Sequence, residues 1–113
     1  MDVPHPIPEP LSELIAARFR ALGDPMRIRL LDLLRDGERS VGDLTMVLGT
    51  SQQNASKHLG VLHQAGLVTR TKVGTSVRYA IADPSVFALC ENVCGGIQRQ
   101  LHDLDQILTG GIA

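Results

Sequence analysis

The sequence predicts a mainly α-helical fold with one β-hairpin placed before the last helix. Three observations support this prediction. Apolar residues recur at three- and four-residue spacing through most of the chain, which is the period of an amphipathic helix. Between residues 67 and 82 this period is replaced by two β-rich runs that flank Gly74-Thr75. Glycines and Asp-Pro pairs divide the helical segments at the positions where helices end and begin.

The length and composition predict one small domain. A chain of 113 residues provides one hydrophobic core, or one core with an added dimerisation helix. We expect a flexible proline-rich arm at residues 1–10, a folded domain at 11–108 and a tail at 109–113. No apolar run approaches the roughly 20 residues of a membrane span, and the N-terminus lacks the pattern of a signal peptide. The protein is therefore expected to be cytoplasmic, with no membrane partner.

Two helices are expected ahead of the central segment. The first covers about residues 11–22 and ends at Gly23. Asp24 then offers an N-cap, and Pro25 suits the first turn of a second helix because its missing N–H would be unpaired there anyway. The expected buried stripe of the second helix is Met26, Leu30, Leu33 and Leu34. We expect Arg27 and Arg29 on a solvated face with Asp32 and Asp36, and the alternative is that the two arginines contact phosphates.

Residues 40–66 predict two short helices joined by a tight turn. Ser40 can cap the first helix, and Gly49 ends it. Thr50 or Ser51 can cap the second helix, which ends at Gly66. The apolar positions are Val41, Leu44, Val47 and Leu48 in the first helix and Ala55, Leu59 and Leu62 in the second. Two capped helices around a glycine turn form a helix-turn-helix candidate, although the same pattern also fits surface helices of a small α protein.

The outward face of the second of these helices is polar. It carries amide and hydroxyl groups of the kind that read base edges in the major groove. The candidate base-reading residues are Gln52, Gln53 and Ser56. His58 falls on the inner side with Ala55 and Leu62. We therefore expect it to hydrogen-bond between the helix and the body of the protein rather than to read bases.

The segment from residue 67 to residue 82 predicts a β-hairpin with basic residues near its tip. No acidic residue lies between Asp43 and Asp83, although the whole chain has a net charge of −1. This local surplus of positive charge suits a surface that faces nucleic-acid phosphates. A basic hairpin after a helix-turn-helix is a wing that would lie along a DNA backbone. The candidate phosphate contacts are Ser51, Lys57, Arg70, Lys72, Thr75 and Arg78.

A long last helix is expected from Asp83-Pro84 to about Leu108. Its apolar stripe is Cys90, Val93, Ile97, Leu101, Leu104 and Leu108, at heptad-like spacing. A stripe of this length exceeds the needs of so small a core, so it predicts a homodimer formed through the first and last helices. The Gly95-Gly96 pair interrupts the stripe, and there the helix either bends or lies close to another helix.

Cys90 and Cys94 form a candidate inducer site. Their spacing places both thiols on one face of the last helix, one turn apart, where they can chelate one thiophilic ion. A disulfide between them would be strained, and the alternative is that both are small packing residues. The chain has no Cys-x-x-Cys motif and no glycine-rich phosphate loop, so an enzyme or a metal carrier is not expected. No obligatory cofactor is expected either.

Three stretches resemble the ArsR–SmtB family of winged helix-turn-helix repressors. ALGDPMRIRLLDLL at 21–34 resembles the family's second helix, and SVGDLTMVLGTSQQNASKHLGVLHQAGLV at 40–68 resembles its helix-turn-helix. GTSVRYAIADPSVFALCE at 74–91 resembles its wing and the start of its last helix. The resemblance extends over nearly all of residues 11–108. It implies a homodimer that binds a palindromic double-stranded operator and releases it when an inducer binds.

The family's known inducer sites are incomplete in this sequence. Ser40 and Gly42 stand where the arsenite-type site has two cysteines, and only Asp83 matches the zinc-type site. The other zinc-type positions hold Ser85, Gly96 and Arg99. We therefore expect an inducer at Cys90 and Cys94, with trivalent arsenic or antimony (arsenite, antimonite or methylarsenite) as the first candidate. The alternatives are a soft metal ion, an oxidant or a reactive sulfur species at the same thiols, or a DNA-binding protein with no inducer.

Overall fold

The computed structural model describes residues 2–110 and divides the chain into two compact units, Met1–Asp83 and Pro84–Ala113. Met1 and the last residues of the expected tail, 111–113, lie outside the described residues. The elements in chain order are α1 (Glu9–Leu22), α2 (Pro25–Leu34), β1 (Arg39–Ser40), α3 (Val41–Leu48), α4 (Gln52–Gln64), β2 (Val68–Val73), β3 (Ser76–Ile81) and α5 (Ser85–Leu108). The predicted fold class, mainly α with one hairpin before the last helix, is confirmed.

The predicted side-chain caps hold the starts of α2, α3 and α4. Asp24, Ser40 and Ser51 each accept hydrogen bonds from backbone N–H groups two or three residues on, at 2.8–3.2 Å. Gly49 ends α3 with a φ of 64°, a left-handed conformation that glycine adopts without steric cost. The turn between α3 and α4 is therefore determined by residues inside the turn itself.

β1, β3 and β2 form a three-stranded antiparallel sheet with β3 in the middle. The hairpin pairs Val73 with Ser76 around Gly74, whose φ is 61°. β1 pairs Arg39 with Tyr79. The sequence does not predict β1, because a strand of two residues shows no period. This short strand joins the start of α3 to the wing.

An aliphatic core joins α2, α3, α4 and β2. Its fully buried leucines are Leu30, Leu31, Leu34, Leu44, Leu59, Leu62 and Leu67. The buried stripe predicted for α4 is confirmed, whereas Val47 of α3 is exposed. In α2 the predicted Leu30 and Leu34 are buried, whereas Met26 and Leu33 are only partly buried. Leu31 is buried as well, because α2 packs against α1, α4 and β3 and so buries more than one side.

Two helix starts differ from expectation. α1 begins at Glu9, two residues early, because Pro10 is tolerated in the first turn of a helix. The N-cap position of α5 is Pro84 rather than Asp83, and it has no side-chain cap hydrogen bond. The Asp83 carboxylate instead forms an ion pair with Arg18 at 2.8 Å. The Asp-Pro pattern therefore marks a helix start in both places but provides a cap only in the first.

The second unit consists mainly of α5, a helix of 24 residues that continues through Gly95-Gly96. Five residues of its predicted stripe are 49–77% exposed within one chain: Val93, Ile97, Leu101, Leu104 and Leu108. None of the helices formed by residues 2–110 has the length and hydrophobicity needed to cross a membrane. α5 therefore carries a stripe of exposed apolar side chains in the described part of the chain.

Candidate DNA-binding surface and thiol pair

α4 presents the predicted base-reading residues to solvent. Its inner side is anchored by fully buried Ala55, Leu59 and Leu62. Its outer side exposes Gln52, Gln53, Ser56 and Lys57. Because Ser51 caps the first turn, these side chains project from a well-defined end of the helix. Amides and hydroxyls on such an end can reach base edges in a major groove.

His58 ties α4 to the body of the protein, as the sequence predicts. The residue is 9% exposed, and its Nδ1 lies 3.1 Å from Nη1 of Arg27. Arginine has no acceptor, so Arg27 donates and Nδ1 accepts. Arg27 also donates to the carbonyl oxygens of Ala21 (2.6 Å) and Arg20 (3.1 Å) at the end of α1. The prediction of a solvated Arg27 is therefore wrong, since its guanidinium joins α1 to α4.

The carboxylate of Asp24 lies beside this cluster, with Oδ1 3.9 Å from His58 Nδ1. Desolvation raises the pKa of Asp24, but the backbone N–H groups of Arg27 and Met26 and the electrostatic attraction of the nearby His58 and Arg27 side chains outweigh it and hold the pKa below the ordinary 3.8. A lowered carboxylate pKa stabilises the folded state above pH 3.8, and that contribution is lost as the pH falls through the folded-state pKa. The α2 cap is therefore ionised at neutral pH.

The wing places Arg70 and Lys72 on the same face as Tyr79. Arg70 pairs with Tyr79 and Lys72 with Val77 across the hairpin, and directly opposite residues share a face. Arg70 and Tyr79 also line a shallow cleft of about 430 Å³ together with Lys57 and other α4 residues. Arg70 and Lys57, predicted separately as phosphate contacts, therefore lie at one surface between α4 and the wing.

Arg78 lies on the opposite face of the wing, where its cross-strand partner is Thr71. Its Nε donates to Oε1 of Glu38 at 2.6 Å. Arg78 was predicted to hold a phosphate, and in the DNA-free protein it has a carboxylate partner. The sequence does not point to Glu38, because β1 brings it to the wing from the segment that follows α2.

Replacing Glu38 by glutamine is expected to raise DNA affinity about twofold to fivefold, in line with the small free energy of an exposed ion pair. The change removes a negative charge beside the wing and leaves Arg78 available for a phosphate. Fluorescence anisotropy of a labelled duplex at fixed salt measures the effect. Glu13→Gln on α1 is the control for net charge. Equal gains in both variants, or no gain in either, would remove Arg78 from the phosphate contacts.

A second cleft, of about 320 Å³, lies between the start of α3, the start of α4 and the wing. Four of the predicted contact residues line it: Gln52, Ser56, Arg70 and Thr75. Ser51, Gln53, Lys57, Lys72 and Arg78 do not line it. The sequence suggests no role in this cleft for Ser40 or Tyr79, which also line it. The fold thus gathers part of the predicted surface into one concave site.

Cys90 and Cys94 are both free thiols on α5, the first half-buried and the second exposed. A separation of four residues places them one turn apart, on the side of the helix that carries the apolar stripe. Within residues 2–110, no group of three or more His, Cys, Asp or Glu side chains is placed to hold a metal ion. Cys90 and Cys94 are therefore two neighbouring thiols that belong to no larger group of such side chains in this part of the chain.

Three of the positions that were compared with the inducer sites of the ArsR–SmtB family hold residues with structural roles. Ser40 caps α3, and Asp83 pairs with Arg18. The Arg99 guanidinium lies against Gly95 and Gly96 on α5, within 3.5 and 3.8 Å of where their Cβ atoms would be. None of these arrangements orients a nitrogen or sulfur ligand toward a metal.

Comparison with known proteins identifies relatives of this chain. The family model for a helix-turn-helix domain matches residues 22–71. The uncharacterised HTH-type transcriptional regulator Rv0081 of Mycobacterium tuberculosis is 38% identical over 110 residues, which cover 93% of this chain and 96% of that protein. The crystal structure of Rv0081 aligns with a TM-score of 0.74 at 39% identity, covering 85% of this chain and 97% of that one.

Two further relatives refine the assignment. The probable mercury resistance operon repressor of Streptomyces lividans is 40% identical over 68 residues, which cover 60% of this chain and 54% of that protein. The solution structure of the homodimeric winged helix-turn-helix domain of Mb0332 from Mycobacterium bovis, a possible ArsR-family regulator, has a TM-score of 0.71 at 32% identity and covers 82% of this chain and 86% of that one. With the capped helix pair, the wing and the long α5, these matches establish that the chain belongs to the ArsR–SmtB family of winged helix-turn-helix transcriptional regulators.

Proposed function

We propose that this protein is a dimeric repressor that leaves its operator when trivalent arsenic or antimony binds Cys90 and Cys94. The observation that carries the proposal is the pair of free thiols, one turn apart, in a chain that has no other cysteine. Thiolates are soft ligands that select thiophilic ions. A methylated trivalent arsenic has two positions for thiolates, and the α5 helix of one subunit provides two thiols. Arsenite or antimonite would take a further ligand from the partner subunit.

The operator contacts in this proposal come from α4 and the wing. α4 enters the major groove, where Gln52, Gln53 and Ser56 contact base edges. The phosphate contacts are Ser51, Lys57, Arg70, Lys72, Thr75 and Arg78. The support is the exposure of these side chains on α4 and the gathering of Arg70 and Lys57 at one surface. Contacts to phosphates set the orientation of the protein on the duplex, and contacts to base edges give sequence specificity.

Dimerisation in this proposal uses the apolar face of α5 together with α1. The support is the exposed stripe of Val93, Ile97, Leu101, Leu104 and Leu108, which a monomer leaves in water. The relative Mb0332, described as a homodimer, gives further support. A twofold dimer matches a palindromic operator, because two α4 helices must reach half-sites about 34 Å apart.

The thiols and the dimer face share one helix, which links induction to DNA release. Cys90 and Cys94 lie on the side of α5 that carries the stripe. An ion that draws the two thiolates together, or that recruits a ligand from the partner subunit, changes how two α5 helices pair. The spacing between the two α4 helices then no longer fits both half-sites. Inducer and operator thereby weaken each other's binding by the same factor.

Replacing both cysteines by serine is expected to leave operator affinity within about twofold and to abolish release. The assay is anisotropy of a labelled duplex selected in vitro from random DNA, titrated with arsenite, antimonite and methylarsenite. Serine keeps the size of cysteine but is a far poorer ligand for soft ions. The single variants Cys90→Ser and Cys94→Ser test whether both thiols are needed. Release that persists in the cysteine-free protein would refute the proposal.

A soft metal ion is the second candidate inducer at the same thiols. The observation that favours it is the likeness to a relative named as a probable mercury resistance operon repressor. Mercury, cadmium and zinc belong in the same titration, beside peroxide and persulfide for a redox signal. Release by mercury or cadmium, without release by any arsenic or antimony species, would assign the inducer to this class.

A further inference from the structure

Tyr79, the single tyrosine of the chain, has an unusual side-chain environment. The residue is 5% exposed, yet no hydrogen bond to its hydroxyl is found within residues 2–110. In the same residues, no buried side-chain oxygen or nitrogen lacks a partner. The hydroxyl must therefore reach solvent, and Tyr79 lines both clefts between α4 and the wing. A buried ring with an open hydroxyl is poised to bind a group from outside.

The 320 Å³ cleft that Tyr79 lines offers hydrogen-bond donors and no carboxylate. Its polar groups are the hydroxyls of Ser40, Ser56, Thr75, Ser76 and Tyr79, the amide of Gln52 and the guanidinium of Arg70. Gly42, in the first turn of α3, adds an N–H that has no acceptor inside the helix. A concave surface with one fixed positive charge and many donors suits a small anion that only accepts hydrogen bonds.

We propose that this cleft binds one backbone phosphate of the operator, with the Tyr79 hydroxyl and the Arg70 guanidinium as donors. The inference rests on the proposed function for its ligand, since the phosphate belongs to DNA bound by α4. A phosphodiester carries one negative charge and accepts without donating, as the lining requires. Gln52 and Ser56 line the same cleft, so the phosphate lies on the strand that the start of α4 contacts.

The role of Tyr79 is to position the DNA backbone rather than to attract it. Tyr79 sits on the central strand of the sheet, paired with Arg39 on one side and Arg70 on the other. Its buried ring cannot move with the phosphate, whereas the exposed side chain of Lys72 on the wing can. A neutral donor also releases no counterion, so its loss lowers affinity without changing the salt dependence. Loss of Arg70 should instead reduce the salt slope by about one.

Tyr79→Phe is the direct test, because it removes the hydroxyl and keeps the buried ring. Operator affinity is expected to fall about tenfold, as for the loss of one hydrogen bond to a charged group, with an unchanged salt slope. Thr69→Val is the matched control, since it removes a hydroxyl from the opposite face of the same hairpin. Thermal unfolding checks that both variants fold. Wild-type affinity in Tyr79→Phe would overturn the proposal.

Operators with one neutral methylphosphonate at each backbone position in turn then locate the contact. At one phosphate per half-site, the substitution is expected to weaken wild-type binding about tenfold more than it weakens binding by Tyr79→Phe, which has only the Arg70 contact left to lose. Additive losses at every position would overturn the proposal. If the wild-type protein bound no duplex at all, the proposed function would be refuted. The cleft proposal would be refuted with it, because its phosphate belongs to operator DNA.

A second measurement separates DNA from a free anion. Tyrosine labelled with ¹³C at Cζ gives a single resonance, because the chain has one tyrosine. The resonance is expected to shift with operator and to stay unchanged with inorganic phosphate at the same ionic strength. A shift with inorganic phosphate and none with operator would assign the cleft to a free anion and contradict the proposal.

Discussion

Replacing both Leu101 and Leu104 by glutamate is expected to convert the protein to a monomer and to weaken operator binding at least about 100-fold. The two side chains are 59% and 49% exposed within one chain, and they lie one turn apart on the α5 stripe. In a dimer they would face a second copy of the stripe, where buried unpaired carboxylates are strongly unfavourable. A monomer then binds one half-site only. It lacks the high effective concentration at which the second subunit of a dimer meets the second half-site.

Analytical ultracentrifugation measures the first effect, and anisotropy with a full and a half operator measures the second. The expected pattern is a large loss on the full operator and little change on the half operator. Gln98→Glu combined with Gln106→Glu adds the same two charges to α5 away from the stripe, and this control should stay dimeric. A Leu101→Glu, Leu104→Glu protein that remains a dimer would exclude this face from the interface.

The features that could be predicted from the sequence are those whose cause lies within a few residues. Ser40, Ser51 and Asp24 cap helices because their side chains reach N–H groups two or three positions on. Gly49 ends α3 because only glycine tolerates that backbone conformation freely. The buried face of α4 could also be predicted locally, because the spacing of apolar residues along one helix shows which of its sides packs against the core. Candidate residues on the exposed face of α4 followed from that assignment.

Features that depend on distant parts of the chain could not be predicted in this way. Glu38 and Arg78 are 40 positions apart, and only the pairing of β1 with β3 brings them together. The open hydroxyl of Tyr79 depends on the clefts formed by α3, α4 and the wing. The alternation of a strand indicates only which face of the sheet this tyrosine lies on. It carries no information about where the hydroxyl points.

Arg27 is the clearest case of such a distant partner. Charge patterning assigned it to a solvated face with Arg29, Asp32 and Asp36. The guanidinium instead turns inward and bridges three places: two carbonyl oxygens at the end of α1 and Nδ1 of His58 on α4. The arrangement uses the planar fork of arginine, which a lysine does not have. Because His58 belongs to α4, a residue of α2 contributes to holding α4, the helix proposed to read DNA, in its orientation.

Replacing Arg27 by alanine is accordingly expected to lower the free energy of unfolding by about 2 kcal/mol, since three acceptors lose a charged donor and His58 is buried. Arg27→Lys should recover less than half of this loss, because an ammonium cannot reach all three acceptors at once. Urea unfolding measures both values.

Arg29→Ala is the matched control: it removes an exposed guanidinium from the same helix and should change stability by less than about 0.5 kcal/mol. The Arg27→Ala protein should also bind operator more weakly under conditions where it is fully folded, because α4 then lacks its tie to α1. Equal effects of the two alanine variants would mean that this tie contributes nothing beyond a surface charge.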